Sequence, residues 1–461
     1  MFETAVYVNR RKKLLSKINR GVGLFLGNPE SPRNYRDNVY PFRQDSNFLY
    51  FFGHAIPDMA ALIDFESGET ILFGKPVTLT DIIWMGNLPS LEELAAQIGA
   101  TTAQPLSALE ERIREALKKG RGIHFLPPYR MENTLTLAQM FGIPVASLAQ
   151  HASLELTRAV IGIMGIKELA EIDEITKAIN ISGDMHVAAM RQTREGMKES
   201  DIVALITQIA IANGNGLSYN PIITINGQIL HNHAYHNELK GGQLLLGDFG
   251  AEVASGYAGD ITRTIPVSKQ FETRQKDVYR IVLQALDQSI AQVAEGVLYR
   301  DVHLHAARII AAGLGELGLM KGDPDAAVAA GAHALFFPHG LGHLLGLNVH
   351  DMEDLGENLV GYDEKVQRSS QFGLSSLRYG KALEAGMVLT VEPGIYFIPE
   401  LIQLWKSEKR HTEFINYPAL DAYLDFGGIR LEDNVLVHPT GSQVLGNPIP
   451  KEIDIVEMLR E

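Results

Sequence analysis

The 461-residue chain contains no cysteine, so disulfides and thiolate metal sites are excluded, and any bound metal must use histidine and carboxylate ligands. A basic excess is also missing: 41 Lys and Arg stand against 55 Asp and Glu, which gives a net charge of −14. Nucleic acids and anionic membranes favour basic surfaces, so we expect neither as a partner. No apolar run reaches the roughly 18 residues of a membrane span.

The first 21 residues lack the apolar core, about 7–15 residues long, of a secretory signal peptide, and we expect a cytoplasmic protein. A hydrophobic share of 46% with 21% charged residues is typical of a globular protein with a sizeable core. The length suits two domains.

Alternation of short strands and helices predicts an α/β domain over residues 1–160. Long helical patterns at 167–195, 198–213, 274–295 and 299–317, interleaved with strand pairs, predict a second domain over residues 161–461. The predicted class is therefore α/β (α+β). The polar spans 353–382 and 399–425 are expected to be long loops, either functional or disordered.

The stretch GDFGAEVASGYAGDITRTIP, residues 247–266, predicts two antiparallel strands joined by a turn, with Asp248 on the first and Asp260 on the second. Facing side chains of paired strands lie about 5 Å apart. Two carboxylates that close repel each other unless a cation lies between them. The alternative is two solvated aspartates at strand ends.

Three further stretches carry residues that bind metals: FPHGLGH ending at His343 and followed by NVHD, MVLTVEPGIY around Glu392, and GIRLED around Glu432. Both glutamates interrupt apolar strands, where an unpaired carboxylate costs several kcal/mol. The alternative for Glu392 and Glu432 is a buried ion pair with Arg430. For His339, His343 and His350 it is an ordinary core or loop position.

Together, four carboxylates and one imidazole form a candidate ligand set whose formal charge of −4 would balance two divalent cations. Its members are Asp248, Asp260, His343, Glu392 and Glu432. Oxygen ligands favour Mn²⁺, and the imidazole also admits Co²⁺ or Zn²⁺. Paired metals of this kind carry out hydrolysis.

The order of these motifs resembles the pita-bread metallopeptidases, specifically the Xaa-Pro peptidases prolidase and aminopeptidase P. The stretches YPFRQDSNFLYFFG and DIIWMG are similar to the N-terminal domain of those enzymes, so the resemblance covers most of residues 30–440. It implies a creatinase-like N-terminal α/β domain, a pita-bread catalytic domain, two metal ions, usually manganese, and a homodimer or homotetramer. The implied substrates are Xaa-Pro dipeptides or short peptides.

The resemblance also implies roles for individual residues. Asp248 would bind one metal, Asp260 and Glu432 would bridge both, and His343 with Glu392 would complete the second. Glu392 would also move the proton. His231 and His350 match the histidines that hold the scissile carbonyl, with His339 grouped beside them as substrate-binding, and Arg430 matches a residue that orients the carboxylates.

The choice between dipeptidase and aminopeptidase is open from the sequence. Arg378, in SLRYGKALEAG, matches an arginine that grips the free carboxylate of a dipeptide, which slightly favours prolidase. The spacing from His231 to Asp248 is more similar to aminopeptidase P. Asp248 and Asp260 are also one residue further apart than the family pattern, which predicts an insertion near 253–255.

Other classes remain as alternatives. A metal-free member of the fold, such as a creatinase-like hydrolase or a binding module, would be expected to lack some of the five ligands. Methionine aminopeptidase is a poorer match, because it typically lacks so large an N-terminal domain. The arginine and aromatic residues at 33–52 also suit a nucleic-acid module, which the net charge disfavours.

Overall fold

The computed structural model describes residues 1–460 and divides into two units. The first unit is Met1–Gly165 with Met352–Gly356, and the second is Ile166–Asp351 with the chain from Glu357 onward. No helix within residues 1–460 is long and apolar enough to cross a membrane. The predicted boundary near residue 160 stays a prediction.

The first unit is built on a five-stranded mixed sheet. Its strands are β1 (Val22–Leu26), β2 (Pro32–Tyr35), β3 (Asn38–Val39), β4 (Ala60–Asp64), β5 (Thr70–Gly74), β6 (Thr102–Pro105) and β7 (Ile123–Phe125). The order is β6-β5-β4-β1-β7, in which the two outer pairs are parallel and the inner pairs antiparallel, while β2 and β3 form a separate hairpin.

Seven helices surround this sheet. They are α1 (Thr4–Leu15), α2 (Ser46–Phe52), α3 (Leu79–Met85), α4 (Leu91–Gln97), α5 (Leu109–Lys118), α6 (Met131–Phe141) and α7 (Leu154–Met164). The core on one face joins Leu24 and Phe73 of the sheet to Ile113 and Leu137 of α5 and α6.

Helix α2 lies in the arginine- and aromatic-rich stretch at 33–52. Asp45 caps it by accepting a hydrogen bond from the Phe48 amide at 2.8 Å, and Phe48, Phe51 and Phe52 are fully buried. A helix buried on all sides has no polar face, so the 3.6-residue periodicity that marks amphipathic helices is absent.

The second unit contains three small sheets. Its strands are β8 (Ile222–Thr224), β9 (Leu244–Asp248), β10 (Thr262–Pro266), β11 (Val388–Val391), β12 (Gly394–Tyr396), β13 (Gly428–Arg430), β14 (Asp433–His438) and β15 (Gly441–Val444). The sheets have the orders β10-β9-β8, β11-β14-β15 and β12-β13, and all pairs are antiparallel. The predicted Asp248 and Asp260 hairpin is therefore present.

Within the described residues, nine helices complete this unit. They are α8 (Leu169–Gln192), α9 (Glu199–Asn213), α10 (Thr273–Gln292), α11 (Tyr299–Glu316), α12 (Pro324–Ala330), α13 (Glu357–Gly361), α14 (Pro399–Ser407), α15 (Tyr417–Leu420) and α16 (Ile453–Leu459). The four long helices are the ones predicted from periodicity. The expectation of a loop at 399–425 is wrong, because Pro399 is the first residue of helix α14 and the side chain of Trp405 in that helix is buried.

The turn between β9 and β10 includes residues 253–255, where the sequence predicts an inserted residue. Val253 donates its amide to the Tyr257 carbonyl at 3.0 Å, and Gly256 adopts a left-handed φ of 88°. Nearer the strands, a Cβ on Gly250 would lie 1.9 Å from the Gly259 carbonyl oxygen, so only glycine fits there. The hairpin therefore stays tightly paired up to the two aspartates.

Candidate metal centre

The hairpin of β9 and β10 presents two aspartates at one end. Asp248 is the last residue of β9 and pairs with Thr262, the first residue of β10. Asp260 therefore lies two residues before β10 begins, at the same end of the hairpin. The Tyr219 hydroxyl lies 2.5 Å from an oxygen of each carboxylate. One hydroxyl carries one proton, so it can donate to only one of the two aspartates at a time.

His343 is held with one ring nitrogen aimed at the carboxylates. Thr390 accepts from the His343 amide at 3.1 Å through its hydroxyl and donates its own amide to the His343 carbonyl at 2.9 Å. The Nδ1 atom lies 3.0 Å from the Leu344 carbonyl, to which it donates. The Nε2 atom lies 3.3 Å from Asp260 and 3.8 Å from Glu392; it donates to Asp260 when the ring is protonated and offers a lone pair when the ring is neutral.

The two glutamates lie where strands end. Glu392 follows β11, and Glu432 lies between β13 and β14. Thr262 donates its hydroxyl to Glu432 Oε2 at 2.7 Å, whereas the buried Glu432 Oε1 has no hydrogen-bond partner within residues 1–460. Ligand atoms of Asp260, His343 and Glu432 lie within 4.8 Å of one another. A buried carboxylate oxygen without a donor suits a metal ligand, so the set fits a divalent cation.

Arg430 neutralises part of this charge from one side. Its Nη2 binds Asp248 at 2.5 Å, its Nη1 donates to the Tyr396 hydroxyl at 2.9 Å, and its Nε is 4.0 Å from Glu392. The contacts of the Glu432 carboxylate are with Thr262 rather than Arg430. The alternative in which Arg430 pairs with both glutamates therefore fails for Glu432.

Burial and mutual repulsion shift the acidities of the cluster. Burial raises the pKa of Asp248, raises that of Glu392 to about 7, and raises that of Glu432 well above its usual value, with Asp260 adding to the last. Burial also acts to raise the pKa of Asp260, but the adjacent His343 outweighs it and the pKa is lowered. Without a cation the cluster therefore retains protons, which divalent ions would displace.

Three histidines surround the cluster. The His350 ring lies edge-on to His343, with ring centres 4.3 Å apart. His339 bonds the Tyr396 hydroxyl at 2.8 Å and lies 4.0 Å from Glu392. His231 is exposed in a turn, and its pKa is lowered by partial desolvation and by the charge of Arg430.

Arg378 lies outside the carboxylate cluster. Its guanidinium binds Glu357 at 2.6 Å, and its charge contributes to the lowered pKa of His231. Its role in substrate binding stays a prediction.

Sequence reasoning missed Tyr219 and the roles of Thr262 and Tyr396. A signal existed for Thr262: it is two residues after Asp260, and residues two apart on a strand face the same way. Tyr396 ends the MVLTVEPGIY motif, but nothing in the pattern indicates that its hydroxyl links Arg430 to His339. Tyr219 precedes the first ligand by 29 residues and has no local signal.

Comparison with known proteins agrees with this geometry. The model of metallopeptidase family M24 matches residues 173–439, which is more than half of the chain and includes all five candidate ligands. The chain belongs to metallopeptidase family M24. A second model, the aminopeptidase P N-terminal domain, matches residues 7–124. The predicted Xaa-Pro peptidase family and the enzyme class, a metallopeptidase, are confirmed.

Similar proteins extend over nearly the whole chain. A probable Xaa-Pro aminopeptidase of Podospora anserina is 34% identical, covering 92% of this chain and 89% of the relative, and one of Fusarium vanettenii is 33% identical over 92% and 88%. Among solved structures, proline aminopeptidase P II from Yersinia pestis is 30% identical with a TM-score of 0.80, covering 99% of both chains. The Zn-substituted Escherichia coli aminopeptidase P, solved with product, is 28% identical with a TM-score of 0.81 over 99% and 98%.

These likenesses confirm the α/β fold with an aminopeptidase P N-terminal domain and a pita-bread catalytic domain. They also bear on the choice left open by the sequence. The relatives and structures are named aminopeptidases, so the comparisons favour aminopeptidase P over the slight preference for prolidase.

Proposed function

We propose that this metallopeptidase is an Xaa-Pro aminopeptidase, which releases the N-terminal residue of short peptides whose second residue is proline. The convergence of Asp248, Asp260, His343, Glu392 and Glu432 at neighbouring strand ends is the observation that carries the proposal. The likeness to aminopeptidase P over 99% of the chain supports this activity in preference to that of a dipeptidase.

The five residues would hold two divalent ions, of which Mn²⁺ suits the oxygen-rich set best. When bound, such ions supply an activated water and polarise the scissile carbonyl. Asp248 is pre-positioned by Arg430, and His343 by its backbone exchange with Thr390. Glu432 offers an oxygen that has no protein donor within the described residues.

Glu392 is proposed to move the proton. Its carboxylate lies 3.8 Å from His343 and 4.0 Å from His339, between the ligand set and the proposed peptide-binding histidines, where a carboxylate can accept and donate a proton. It would take a proton from the attacking water and give it to the departing proline nitrogen. That nitrogen can leave as an amine only after it has gained a proton, so cleavage needs such a donor.

The histidines and arginines are proposed to bind the substrate around this centre. His350, packed on His343, and His231 would hold the scissile carbonyl and steady the developing oxyanion. His339 is fixed by Tyr396, which Arg430 holds in turn, and would contact the peptide beside Glu392. Arg378 would lie at the far end of a short peptide.

A homodimer or homotetramer is part of the proposal. Helix α3 supports it, because no residue of α3 is buried and four large apolar side chains are mostly exposed: Leu79 at 73%, Ile83 at 70%, Trp84 at 81% and Met85 at 72%. Apolar surface of this kind is typical of interfaces.

The test is hydrolysis by metal-stripped protein reconstituted with Mn²⁺. We expect cleavage of an Xaa-Pro-Xaa tripeptide to exceed that of the matching Xaa-Pro dipeptide, and Asp260→Asn to lower kcat at least a hundredfold. The surface change Asp184→Asn, on α8, removes the same charge and should leave the rate unchanged. Preference for the dipeptide would restore the prolidase assignment, and absence of metal-dependent cleavage of both would refute a peptidase.

A further inference from the structure

One carboxylate beside the site is shared by two arginines. Glu357 binds Arg378 through Oε1 at 2.6 Å and Arg368 through Oε2 at 2.5 Å. The three side chains are 32%, 31% and 26% exposed, so each is more than half withdrawn from water. Two positive charges and one negative charge leave this group, which we call the Glu357 cluster, with a net charge of +1.

The backbone around Arg378 is fixed against helix α13. The amides of Gly380 and Lys381 both donate to the Gly361 carbonyl, at 2.8 and 3.1 Å. A Cβ on Gly361 would lie 1.9 Å from the Arg378 carbonyl oxygen, so the two segments touch as closely as glycine permits. Arg378 is therefore presented to Glu357, the first residue of α13, from a defined position.

Arg368 is fixed as firmly, which immobilises the second oxygen of Glu357. Its Nε donates to Asn358 at 2.9 Å, its Nη1 donates to the Ser375 carbonyl at 3.2 Å, and its guanidinium lies 5.1 Å from the centre of the Tyr362 ring. Tyr362 is itself tied to the Leu377 carbonyl at 2.6 Å. Because both arginines are anchored, Glu357 is held in the position where it meets Arg378.

The cluster lies beside the histidine loop of the metal centre. A Cβ on Gly340, the neighbour of His339, would lie 2.8 Å from the Cα of Leu377, which directly precedes Arg378. A guanidinium in that position is suited to a carboxylate, because its donors match the two carboxylate oxygens. In an Xaa-Pro dipeptide the free carboxylate is on the residue directly after the cleaved bond, whereas a longer peptide carries an amide there.

We propose that Glu357 is a specificity-determining residue that holds Arg378 away from the terminal carboxylate of Xaa-Pro dipeptides. The Arg378 guanidinium can bind the carboxylate of a dipeptide only if its ion pair with Glu357 weakens. Peptides that continue beyond proline have no carboxylate at this position and do not require that change, so the cluster sets the length preference. This inference rests on the proposed Xaa-Pro aminopeptidase function.

The test is Glu357→Gln, which keeps the side-chain shape and removes the competing charge. We expect KM for the Xaa-Pro dipeptide to fall fivefold to tenfold, with kcat nearly constant, because the change acts on ground-state binding. The dipeptide with an amidated C-terminus has the same residues and no carboxylate, so its KM should not fall. Glu364→Gln, an exposed residue of the same segment, removes one charge elsewhere and should alter neither value.

The double variant Glu357→Gln/Arg378→Gln tests whether the gain for the dipeptide depends on the Arg378 guanidinium or only on the loss of one negative charge. The gain for the dipeptide should disappear in it, because no guanidinium remains to bind the carboxylate. Melting temperatures identify a folding defect. If Glu357→Gln fails to fold, Glu357→Asp keeps the charge but shortens the side chain and should give the same change to a smaller extent.

Three results would overturn the inference: an unchanged ratio of dipeptide to tripeptide hydrolysis, an equal gain for the amidated dipeptide, or a gain that survives in the double variant. Failure of the proposed function is distinct, since the wild-type protein with Mn²⁺ would then cleave neither peptide or would prefer the dipeptide.

Discussion

At the scale of single residues, Glu432 is a position where suitability for metal binding opposes the stability of the metal-free protein. It is 1% exposed, receives one hydrogen bond from Thr262, and shares its surroundings with three other carboxylates. Burial and these like charges raise its pKa, which means that the folded protein disfavours its charged form. The residue suits cation binding and opposes the stability of the metal-free fold.

We therefore predict opposite effects of Glu432→Gln on stability and on metal binding. The metal-free variant should melt a few degrees above metal-free wild type, because one buried charge is gone. Addition of Mn²⁺ should stabilise wild type and have little effect on the variant, and hydrolysis should fall at least a hundredfold. Calorimetry with and without EDTA checks the first two points, and a metal-free variant that melts below wild type would contradict the charge argument.

The sequence alone supplied most of this residue-scale description. The five candidate ligands could be proposed because carboxylates within apolar strands are conspicuous, and because motif order ties them to a family. Two details could not be obtained. Arg430 binds Asp248 across 182 positions of sequence, and Tyr219 reaches both aspartates, since such contacts depend on how distant strands are brought together.

At the scale of elements, helix α8 supports the hairpin that carries the two aspartates. His186 on α8 is 2% exposed, and its Nε2 lies 3.2 Å from the Phe249 carbonyl and 2.9 Å from the Ile261 carbonyl. These are the residues directly after Asp248 and Asp260. The ring also stacks on Phe249, with ring centres 3.8 Å apart. One imidazole therefore ties both strand ends together.

Replacing His186 with Phe should loosen the metal centre without unfolding the protein. Phenylalanine keeps the ring that stacks on Phe249 but removes the Nε2 atom that contacts both the Phe249 and Ile261 carbonyls. The backbone next to the two aspartates is then no longer held by one side chain. We expect Mn²⁺ affinity to fall about tenfold to a hundredfold, as for other supports of metal ligands. Isothermal titration measures this directly, and His151→Phe, at an exposed position, is the matched control. Unchanged affinity would show that the hairpin positions the aspartates unaided.

Elements were predictable where their pattern was periodic. The long helices α8 to α11 have an apolar side and a polar side, and the sequence places each within a few residues. Helix α2 is apolar all round, and α14 begins at a proline inside a polar stretch, so neither has the expected pattern. In both cases burial by the rest of the unit, rather than local periodicity, determines the structure.

At the scale of the whole molecule, the buried histidines outside the ligand set matter for acid stability. His303 and His333 are fully buried, and none of their ring nitrogens has a hydrogen-bond partner within residues 1–460. Burial lowers the pKa of His303 to about 3 and that of His333 to about 4. The folded protein keeps both rings neutral at pH values where an unfolded chain would protonate them.

The contribution of these two histidines to stability should therefore fall as the pH drops from about 6.5 towards 4. Below about 6.5 the unfolded chain binds protons that the folded chain refuses, which costs about 1.4 kcal/mol per pH unit for each such histidine. The change His303→Phe, beside the stacked Phe337, should make the dependence shallower by one histidine's share. Denaturant unfolding at pH 7 and 5.5 with EDTA measures this. Equal slopes for variant and wild type would contradict the assignment.

The spacing of the proposed ligands along the chain has a consequence for biosynthesis. Asp248 and Asp260 come from one hairpin, His343 from a loop almost a hundred residues later, and Glu392 and Glu432 from strand ends later still. A ribosome-bound chain thus carries an incomplete ligand set until Glu432 has emerged. Metal binding by the full proposed set would then have to wait until the chain is nearly complete, so metal ions would bind the finished fold rather than the nascent chain.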